Sequence, residues 1–172
     1  MNVDLSHAGV SAPTHARSRD GIVAECATVR MRSGVVGALR YLNARTRFRF
    51  TGVYHADPPL LRNVFLFDRE NPTVNVSGES APLEETYCSI TYATHRPFLA
   101  NDAPRDPRAP AHAACDPVIS YAGVPIRRGS GMVWGTLCHF DVRPRLLESG
   151  ELEVLEIVAP LFGRWLDPSE SR

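Results

Sequence analysis

The chain has 172 residues, of which 44% are hydrophobic, so it is long enough to bury one core of ordinary domain size. Nineteen basic side chains balance nineteen acidic ones, and this zero net charge excludes a strong field toward nucleic acid or an anionic membrane. All nineteen basic residues are arginine, which excludes Schiff-base chemistry through a lysine amine.

Hydropathy and cysteine usage indicate in which cellular compartment the protein lies. No stretch approaches the roughly 18 apolar residues of a membrane span, and the polar N-terminus lacks the apolar core of a signal peptide. The four cysteines lie far apart, at positions 26, 88, 115 and 138. Such spacing in a chain of this size is typical of free thiols in a reducing compartment. We therefore predict a cytoplasmic protein.

The N-terminal part predicts a tail followed by helix. Residues 1–19 mix Ser, Ala, Pro, His and Arg without a period, which predicts a mobile tail. Asp20 is placed to cap a helix whose apolar residues recur three and four positions apart. A second helical stretch covers 35–42, and Gly34 either bends one long helix or interrupts it.

The next segment predicts a β-hairpin over 47–68. Apolar and polar side chains alternate over 47–54, and strand-forming residues resume over 60–68. The sequence Asp57-Pro58-Pro59 between them marks the turn. A loop with Asn-Pro and Ser-Gly pairs follows over 69–80.

The middle of the chain predicts a short helix and a stiff loop. Pro82 and two early glutamates are typical of a helix start, and the body of this helix is predicted over 86–94. A short strand is predicted over 97–101. The segment 102–108 is too rich in proline for a long helix and has room for one helical turn.

The C-terminal part predicts a second hairpin and a closing helix. Strands over 118–127 and 132–142 flank a glycine-rich turn. Ser149 is placed to cap the last helix, which Pro160 interrupts. These elements predict an α+β fold with one mostly antiparallel sheet and helices packed against it. The predicted limits are a single domain at 20–167 and tails at 1–19 and 168–172.

Cys138 and His139 are adjacent and invite comparison with a reaction centre. They lie in GTLCHFD at 135–141, which follows β-branched and aromatic residues typical of a strand. Successive side chains of a strand point to opposite faces. We therefore predict that this thiol and this imidazole cannot act together as nucleophile and base.

Six short segments form a combined pattern: LRYLN at 39–43, FTGVY at 50–54, ETYC at 85–88, PFLANDA at 97–103, YAGVPI at 121–126 and GTLC at 135–138. Together with the closing helix, this pattern resembles the GAF domains, small sensory modules related in architecture to PAS domains. The resemblance covers residues 32–166. It implies a six-stranded antiparallel sheet, with the N- and C-terminal helices packed on one face and the 83–117 segment covering the other.

The resemblance also implies a function. Family members often hold a small ligand between cover and sheet, such as a cyclic nucleotide, a tetrapyrrole or an effector metabolite. Many are attached to histidine kinases, phosphodiesterases or transcription regulators. We therefore expect a small-molecule-binding sensory module that signals through its terminal helices to a partner protein or a second subunit. Little chain flanks the domain, so a stand-alone module is expected, and the ligand and any cofactor stay unidentified.

The candidate ligand-binding residues combine an apolar body with a polar group, or lie on the charged loop beside the family's pocket. Tyrosines and thiols suit a mostly apolar pocket, and charged pairs can orient a polar ligand. The candidates are Tyr54, Tyr87, Cys88, Asp102, Arg105, Asp106, Tyr121, Thr136 and Cys138. Core packing, and ion pairs within the loop, are the alternative roles of these side chains.

Cys88 on the cover and Cys138 on a central strand are the catalytic candidates of an alternative function. A thiol-dependent enzyme of the free methionine sulfoxide reductase type requires at least one of these thiols to open into a cavity with a lowered pKa. Two separately buried thiols, or a ligand-free scaffold domain, are the other interpretations. His112 and Cys115 have a spacing that two metal ligands can adopt, but no Cys-x-x-Cys pair accompanies them, and we predict no metal site.

Overall fold

The computed structural model describes residues 18–74, 77–109 and 117–167. Its helices and strands are α1 (Arg19–Asn43), β1 (Phe50–Asp57), β2 (Leu60–Asp68), β3 (Ser80–Pro82), α2 (Cys88–Thr94), β4 (Phe98–Ala100), β5 (Ser120–Arg127), β6 (Val133–Asp141) and α3 (Glu151–Trp165). Two 3-10 turns lie at Leu83–Glu85 and Ala103–Arg105. Most of the predicted N-terminal tail and all of the C-terminal one lie outside the described residues.

The six strands form one antiparallel sheet in the order β3-β2-β1-β6-β5-β4. This confirms the α+β class and the six-stranded sheet. β1 and β2 are the hairpin predicted around Asp57-Pro58-Pro59, and β5 and β6 are the second predicted hairpin. β1 also pairs with β6, so the two hairpins join edge to edge and β6 lies between β1 and β5.

The third strand corrects the sequence prediction for its region. Residues 69–80 were expected to be a loop and Pro82 to start a helix, yet residues 80–82 pair with residues 60–62 of β2. β3 is an edge strand, where proline is tolerated because one side of its backbone needs no partner. Three residues are too few for an alternating pattern to appear in the sequence.

Both terminal helices are capped by a different residue from the one predicted. In α1 the Ser18 hydroxyl accepts a hydrogen bond from the Gly21 backbone N–H at 3.2 Å, which leaves Asp20 in the first turn. In α3 the cap position falls on Gly150, whose φ of 82° lies in the left-handed region that favours glycine, so Ser149 precedes the cap. The helices themselves are where the apolar periodicity predicted them.

α1 is a helical hairpin and not one continuous rod. Gly34 has φ 68° and ψ −172°, a conformation essentially confined to glycine, and it breaks the helix. The Tyr41 hydroxyl donates a hydrogen bond to the Glu25 carboxylate at 3.1 Å. Along a straight helix these two residues would lie about 24 Å apart. The chain therefore folds back at Gly34.

α1 and α3 cover one face of the sheet, which confirms the predicted placement of the terminal helices. Arg19 at the start of α1 pairs with Glu153 near the start of α3 at 3.0 Å. The Arg30 guanidinium lies 5.1 Å from the centroid of the Trp165 ring at the end of α3. The first half of α1 therefore runs parallel to α3. The buried side chains between helices and sheet include Cys26, Leu39, Leu42, Val53, Leu137, Leu155, Val158 and Phe162.

The cover segment packs on the opposite face. The helix predicted from Pro82 is split, because a 3-10 turn at Leu83–Glu85 precedes α2 at Cys88. The second buried cluster consists of Ala56, Leu61, Leu83, Tyr87, Cys88, Phe98, Ala100, Ala103, Tyr121 and Cys138. Within the described ranges, no helix combines the length and apolar character that crossing a membrane requires.

Candidate functional site

A cavity of about 100 Å³ lies between the cover segment and the sheet. It is lined by Tyr54, Leu61, Thr86, Tyr87, Cys88, Val118, Tyr121, Cys138 and Phe140. Five of these nine residues are predicted ligand-binding residues, and a further predicted residue, Thr136, is buried in contact with Cys88. In the part of the chain that the structure describes, no lining side chain carries a formal charge.

Cys138 forms the floor of the cavity because both of its cross-strand neighbours are glycines. Gly52 of β1 and Gly123 of β5 lie directly opposite Cys138 in the antiparallel register. Neither neighbour has a side chain to fill the space beside the thiol. The Cys138 sulfur, fully buried, lies 3.9 Å from the Gly52 carbonyl oxygen.

Two tyrosine rings use the space that the glycines leave. A Cβ atom on Gly123 would lie 2.1 Å from the Tyr121 hydroxyl oxygen, and one on Gly52 would lie 2.8 Å from ring carbon Cε2 of Tyr54. Each ring therefore folds along its own strand, over the glycine two residues away. The Tyr121 ring also packs against Tyr87 of the cover, with ring centroids 5.8 Å apart.

The Cys88 sulfur is surrounded by hydrogen-bond donors. The Tyr121 hydroxyl donates to it at 3.4 Å and the Thr136 hydroxyl donates to it at 3.2 Å. The Cys138 thiol lines the same pocket and acts on the pKa of Cys88 as a hydrogen-bond partner. All four side chains are buried. The two cysteines that the sequence left either paired or separate therefore meet in one pocket, both as free thiols.

These contacts shift the pKa values of the two thiols in opposite directions. The hydrogen bond from Cys138, together with those from Thr136 and Tyr121, lowers the pKa of the Cys88 thiol despite its burial. Burial raises the pKa of Cys138, and its hydrogen bond to Cys88 raises it further. Because the thiolate is the reactive form of cysteine, these opposite pKa shifts favour ionisation of Cys88 over that of Cys138.

His139 lies on the opposite face of β6 from the cavity. Its Nδ1 atom is 2.7 Å from the Thr51 hydroxyl, within the buried layer under the helices. Burial lowers the pKa of His139 to about 3, and the nearby Arg69 guanidinium adds to this effect. The imidazole is therefore neutral near pH 7. The prediction that Cys138 and His139 cannot share a site is confirmed.

Asp102, Arg105 and Asp106 lie outside the cavity lining. Asp102 pairs with Arg105 at 3.4 Å, and the Arg105 side chain is 87% exposed. Asp106 accepts a hydrogen bond from Nε of Arg108 at 2.9 Å, and this partner lowers the pKa of Asp106 to about 2. Arg108 also donates to the Leu99 carbonyl at 2.8 Å. These charges satisfy one another and the loop backbone.

Sequence reasoning missed four lining residues, Leu61, Thr86, Val118 and Phe140. Phe140 had a usable signal, because it lies two positions after Cys138 on the same predicted strand and therefore on the same face. Leu61 had a weaker one, since nothing in the sequence shows which face of β2 meets the cover. Thr86 and Val118 were predicted as the first residues of a helix and a strand, whereas they lie just before α2 and β5 in connecting segments, where no period shows which way a side chain points.

The other grooves of the described structure contain none of the predicted functional residues. Grooves of about 410 Å³ and 450 Å³ lie beside α3 and along α1, and neither is lined by a cysteine or a predicted ligand residue. Among the described residues, no group of three His, Cys, Asp or Glu side chains gathers where it could hold a metal ion. His112 and Cys115 lie outside the described residues.

Comparison with known proteins identifies the family. The family model described as "GAF domain" matches residues 23–164. The GAF domain of an Acinetobacter phosphoenolpyruvate-protein phosphotransferase is 12% identical, with 86% of this chain and 92% of that chain covered and a TM-score of 0.66. Free methionine-R-sulfoxide reductase from Neisseria meningitidis, in complex with its substrate, is 16% identical, with 89% and 90% covered and a TM-score of 0.65.

The chromophore-binding domain of Stigmatella aurantiaca phytochrome P1 is 13% identical, with 91% of this chain and 63% of that chain covered and a TM-score of 0.64. A search of curated proteins gave no match. At these identities the solved structures show a shared fold, whereas the family model spans most of the chain. With its six-stranded sheet, its terminal helices on one face and its cavity under the cover, the chain belongs to the GAF domains, a family of small-molecule-binding sensory modules.

Proposed function

We propose that this chain is a cytoplasmic sensory module that binds a small neutral molecule between α2 and β6 and reports its occupancy through α1 and α3. The main support for this proposal is the cavity, which is lined by five predicted ligand-binding residues. No described lining residue carries a formal charge. Membership of the GAF family supports the same site. The free thiols Cys26, Cys88 and Cys138 support a reducing compartment.

The size of the cavity supports a ligand of few atoms. A volume of about 100 Å³ corresponds to roughly three water molecules at about 30 Å³ each. Pockets for drug-sized ligands measure on the order of 300–1,000 Å³. A cyclic nucleotide or a tetrapyrrole is larger and carries charge, and the described lining offers no charged partner for either. A small uncharged molecule fits the lining best.

The position of β6 supports the proposal that ligand occupancy is transmitted to α1 and α3. Cys138 of β6 faces the cavity, whereas the neighbouring Leu137 is fully buried in the cluster that includes α1 and α3 side chains. A ligand that displaces Cys138 or Thr136 therefore moves a strand whose other face packs under the helices. Because protein interiors are close-packed, such a shift is passed on to the groups in contact with it.

A second copy of this chain, or a separate signalling protein, is the proposed receiver. α1 and α3 cover part of each other, while Met31 on α1 remains 82% exposed. We expect a dimer that covers this side of α1. Light scattering at micromolar concentration tests it. Dimeric wild type that Met31→Glu dissociates supports a second copy as the receiver, whereas monomeric wild type contradicts the dimer and favours a separate signalling protein.

Ligand binding is tested by NMR with a panel of neutral molecules no larger than phenol. Val118→Phe adds a ring to the cavity lining, and Val142→Phe adds the same ring at a position that is 41% exposed. We expect binding to shift the resonances of Cys88 and Cys138 in wild type and in Val142→Phe, and to be lost in Val118→Phe.

The other outcomes of this experiment separate the alternatives. Probe binding that survives in Val118→Phe contradicts the assigned site. No binding by any probe favours a ligand-free scaffold. Hydrogen exchange on the same samples tests the reporting step, because occupancy should slow exchange in α1 and α3 as well as in β6. Unchanged exchange in both helices contradicts that step.

A thiol-dependent enzyme of the free methionine sulfoxide reductase type is the second candidate, because Cys88 and Cys138 meet in one pocket. A free amino acid carries an ammonium and a carboxylate, and the described lining has no charge to pair with either. Reduction of free methionine sulfoxide in the presence of dithiothreitol tests this candidate. Turnover that Cys88→Ser abolishes and Cys26→Ser preserves decides for the enzyme.

A further inference from the structure

We propose that Cys88 and Cys138 form an oxidisable dithiol that a hydroperoxide entering the cavity converts to a disulfide. The proposal rests on the same cavity as the proposed function and names the chemical class of the signal, an uncharged oxidant. Four groups within the pocket carry it: the two thiols and the hydroxyls of Tyr121 and Thr136.

The geometry favours the Cys88 sulfur as the nucleophile that attacks the oxidant. The Cys88 sulfur accepts hydrogen bonds from Tyr121 at 3.4 Å and from Thr136 at 3.2 Å, and both donors are buried. Hydroxyl donors stabilise a thiolate in a pocket that has no cation among its described lining residues. Cys88 also lines the cavity, so an oxidant that enters it meets this sulfur directly.

The cavity is matched to a small hydroperoxide. Hydrogen peroxide is neutral and only slightly larger than a water molecule, and the cavity has room for roughly three waters. Tyr121 and Thr136 lie beside the Cys88 sulfur and can also donate to the oxygen that leaves. A larger charged oxidant would find no ion-pairing group among the described lining residues.

The reaction proceeds in two balanced steps. The Cys88 thiol gives up its proton and the thiolate attacks one peroxide oxygen: a sulfur–oxygen bond forms, the oxygen–oxygen bond breaks, and the leaving alkoxide or hydroxide takes the proton that Cys88 gave up and becomes an alcohol or water. Cys138 then attacks the Cys88 sulfenic acid, the disulfide forms, and the hydroxide that leaves combines with the Cys138 thiol proton as water. Two thiols are oxidised by two electrons and one hydroperoxide is reduced.

A third cysteine provides an internal control. Cys26 is fully buried in the helix layer, away from the cavity, and burial raises its pKa to about 11. The pKa of Cys88 lies below the ordinary thiol value of 9.0. At pH 7 the thiolate fraction of Cys88 is therefore larger than that of Cys26.

The experiment treats the reduced full chain with one equivalent of hydrogen peroxide, alkylates the remaining thiols and maps peptides without reduction. We expect a Cys88–Cys138 disulfide, with Cys26 alkylated as a free thiol. In Cys138→Ser, a sulfenic acid on Cys88 should be trapped by a dimedone reagent. Cys26→Ser should behave as wild type, and circular dichroism verifies that each variant is folded.

Two tyrosine variants test the role of the donor. Tyr121→Phe removes the hydroxyl that donates to Cys88, and Tyr92→Phe removes a hydroxyl from a half-buried residue of the cover that does not line the cavity. We expect Cys88 oxidation to slow severalfold in Tyr121→Phe and to keep its rate in Tyr92→Phe. Equal rates in both variants overturn the assignment of Tyr121 as a positioning residue.

Three outcomes overturn the dithiol. They are no oxidation of Cys88, oxidation of Cys26 at the rate of Cys88, and a disulfide from Cys88 to a cysteine other than Cys138. Efficient oxidation by free methionine sulfoxide in place of peroxide overturns the oxidant class and favours the enzyme. Neutral probes that still bind the reduced cavity would leave the proposed function intact when the dithiol fails.

Discussion

Tyr121 reaches Cys88 because Gly123 leaves room for its ring above β5. Gly123→Ala would place a methyl group 2.1 Å from the Tyr121 hydroxyl oxygen, so the ring must move. We expect the free energy of unfolding to fall by roughly 1–3 kcal/mol, as in other overpacked interiors. The alkylation of Cys88 at pH 7 should slow as well, because the thiolate loses a donor. Urea unfolding and iodoacetamide kinetics measure the two effects.

Gly129→Ala is the matched control, since a Cβ atom at this exposed turn meets nothing within 4 Å. Its free energy of unfolding should stay within about 0.5 kcal/mol of wild type, as for most surface substitutions. If Gly123→Ala behaves like Gly129→Ala in both measurements, the ring position assigned to Tyr121 is wrong.

His139 makes the stability of the protein depend on pH. Its pKa is about 3 in the folded chain, against 6.5 for an ordinary histidine. Below about pH 6.5 the unfolded chain therefore binds a proton that the folded chain does not. Stability should fall as the pH decreases from 6.5 toward 3, by up to about 1.4 kcal/mol per pH unit.

Urea unfolding at pH 7, 6 and 5 measures this dependence. His139→Gln should flatten the pH slope of the unfolding free energy even if it lowers the stability at pH 7. His95→Gln removes an exposed histidine and should keep the wild-type slope. An unchanged slope in His139→Gln would refute the role given to His139.

At the level of single residues, strand alternation predicted which face a side chain lies on but not which side chains it contacts. The strand pattern around Cys138 and His139 was enough to place them on opposite faces, because that depends on the backbone alone. The contact between Tyr121 and Cys88 depends on a ring that folds over a glycine two positions away, and on how the cover docks. The sequence therefore predicted which side chains were candidates, but not the hydrogen bonds between them.

The break in α1 depends on one glycine. Gly34 has φ 68° with ψ −172°, so Gly34→Ala introduces backbone strain although open space surrounds the position. We expect a loss of about 1–3 kcal/mol in the free energy of unfolding, measured by urea titration. A substitution that proves neutral would mean that the two halves of α1 pack together without this conformation.

Prediction of elements succeeded where a pattern repeats over several residues. The two long hairpins and both terminal helices carry enough apolar positions to show their period. β3 has three residues and α2 has seven, and each is held by packing on neighbours more than by its own pattern. The Asp102–Arg108 loop was also beyond prediction, because charged residues alone do not show whether they contact a ligand or one another.

For the whole molecule, one sheet separates two buried layers. Helix-side residues such as Leu137 alternate along β6 with cavity-side residues such as Cys138 and Thr136. This arrangement places the candidate ligand site on one face of the sheet and the terminal helices α1 and α3, through which signalling is proposed, on the other. It follows from strand geometry, and the family resemblance predicted it, whereas the identity of the ligand depends on shapes that no sequence pattern contains.

Native mass spectrometry of the protein purified from its own host is the most direct test of the assigned ligand site. We predict that wild type and Val142→Phe carry the same small bound molecule, that unfolding releases it, and that Val118→Phe lacks it. A ligand that Val118→Phe retains as wild type does would contradict the assignment of the cavity between α2 and β6.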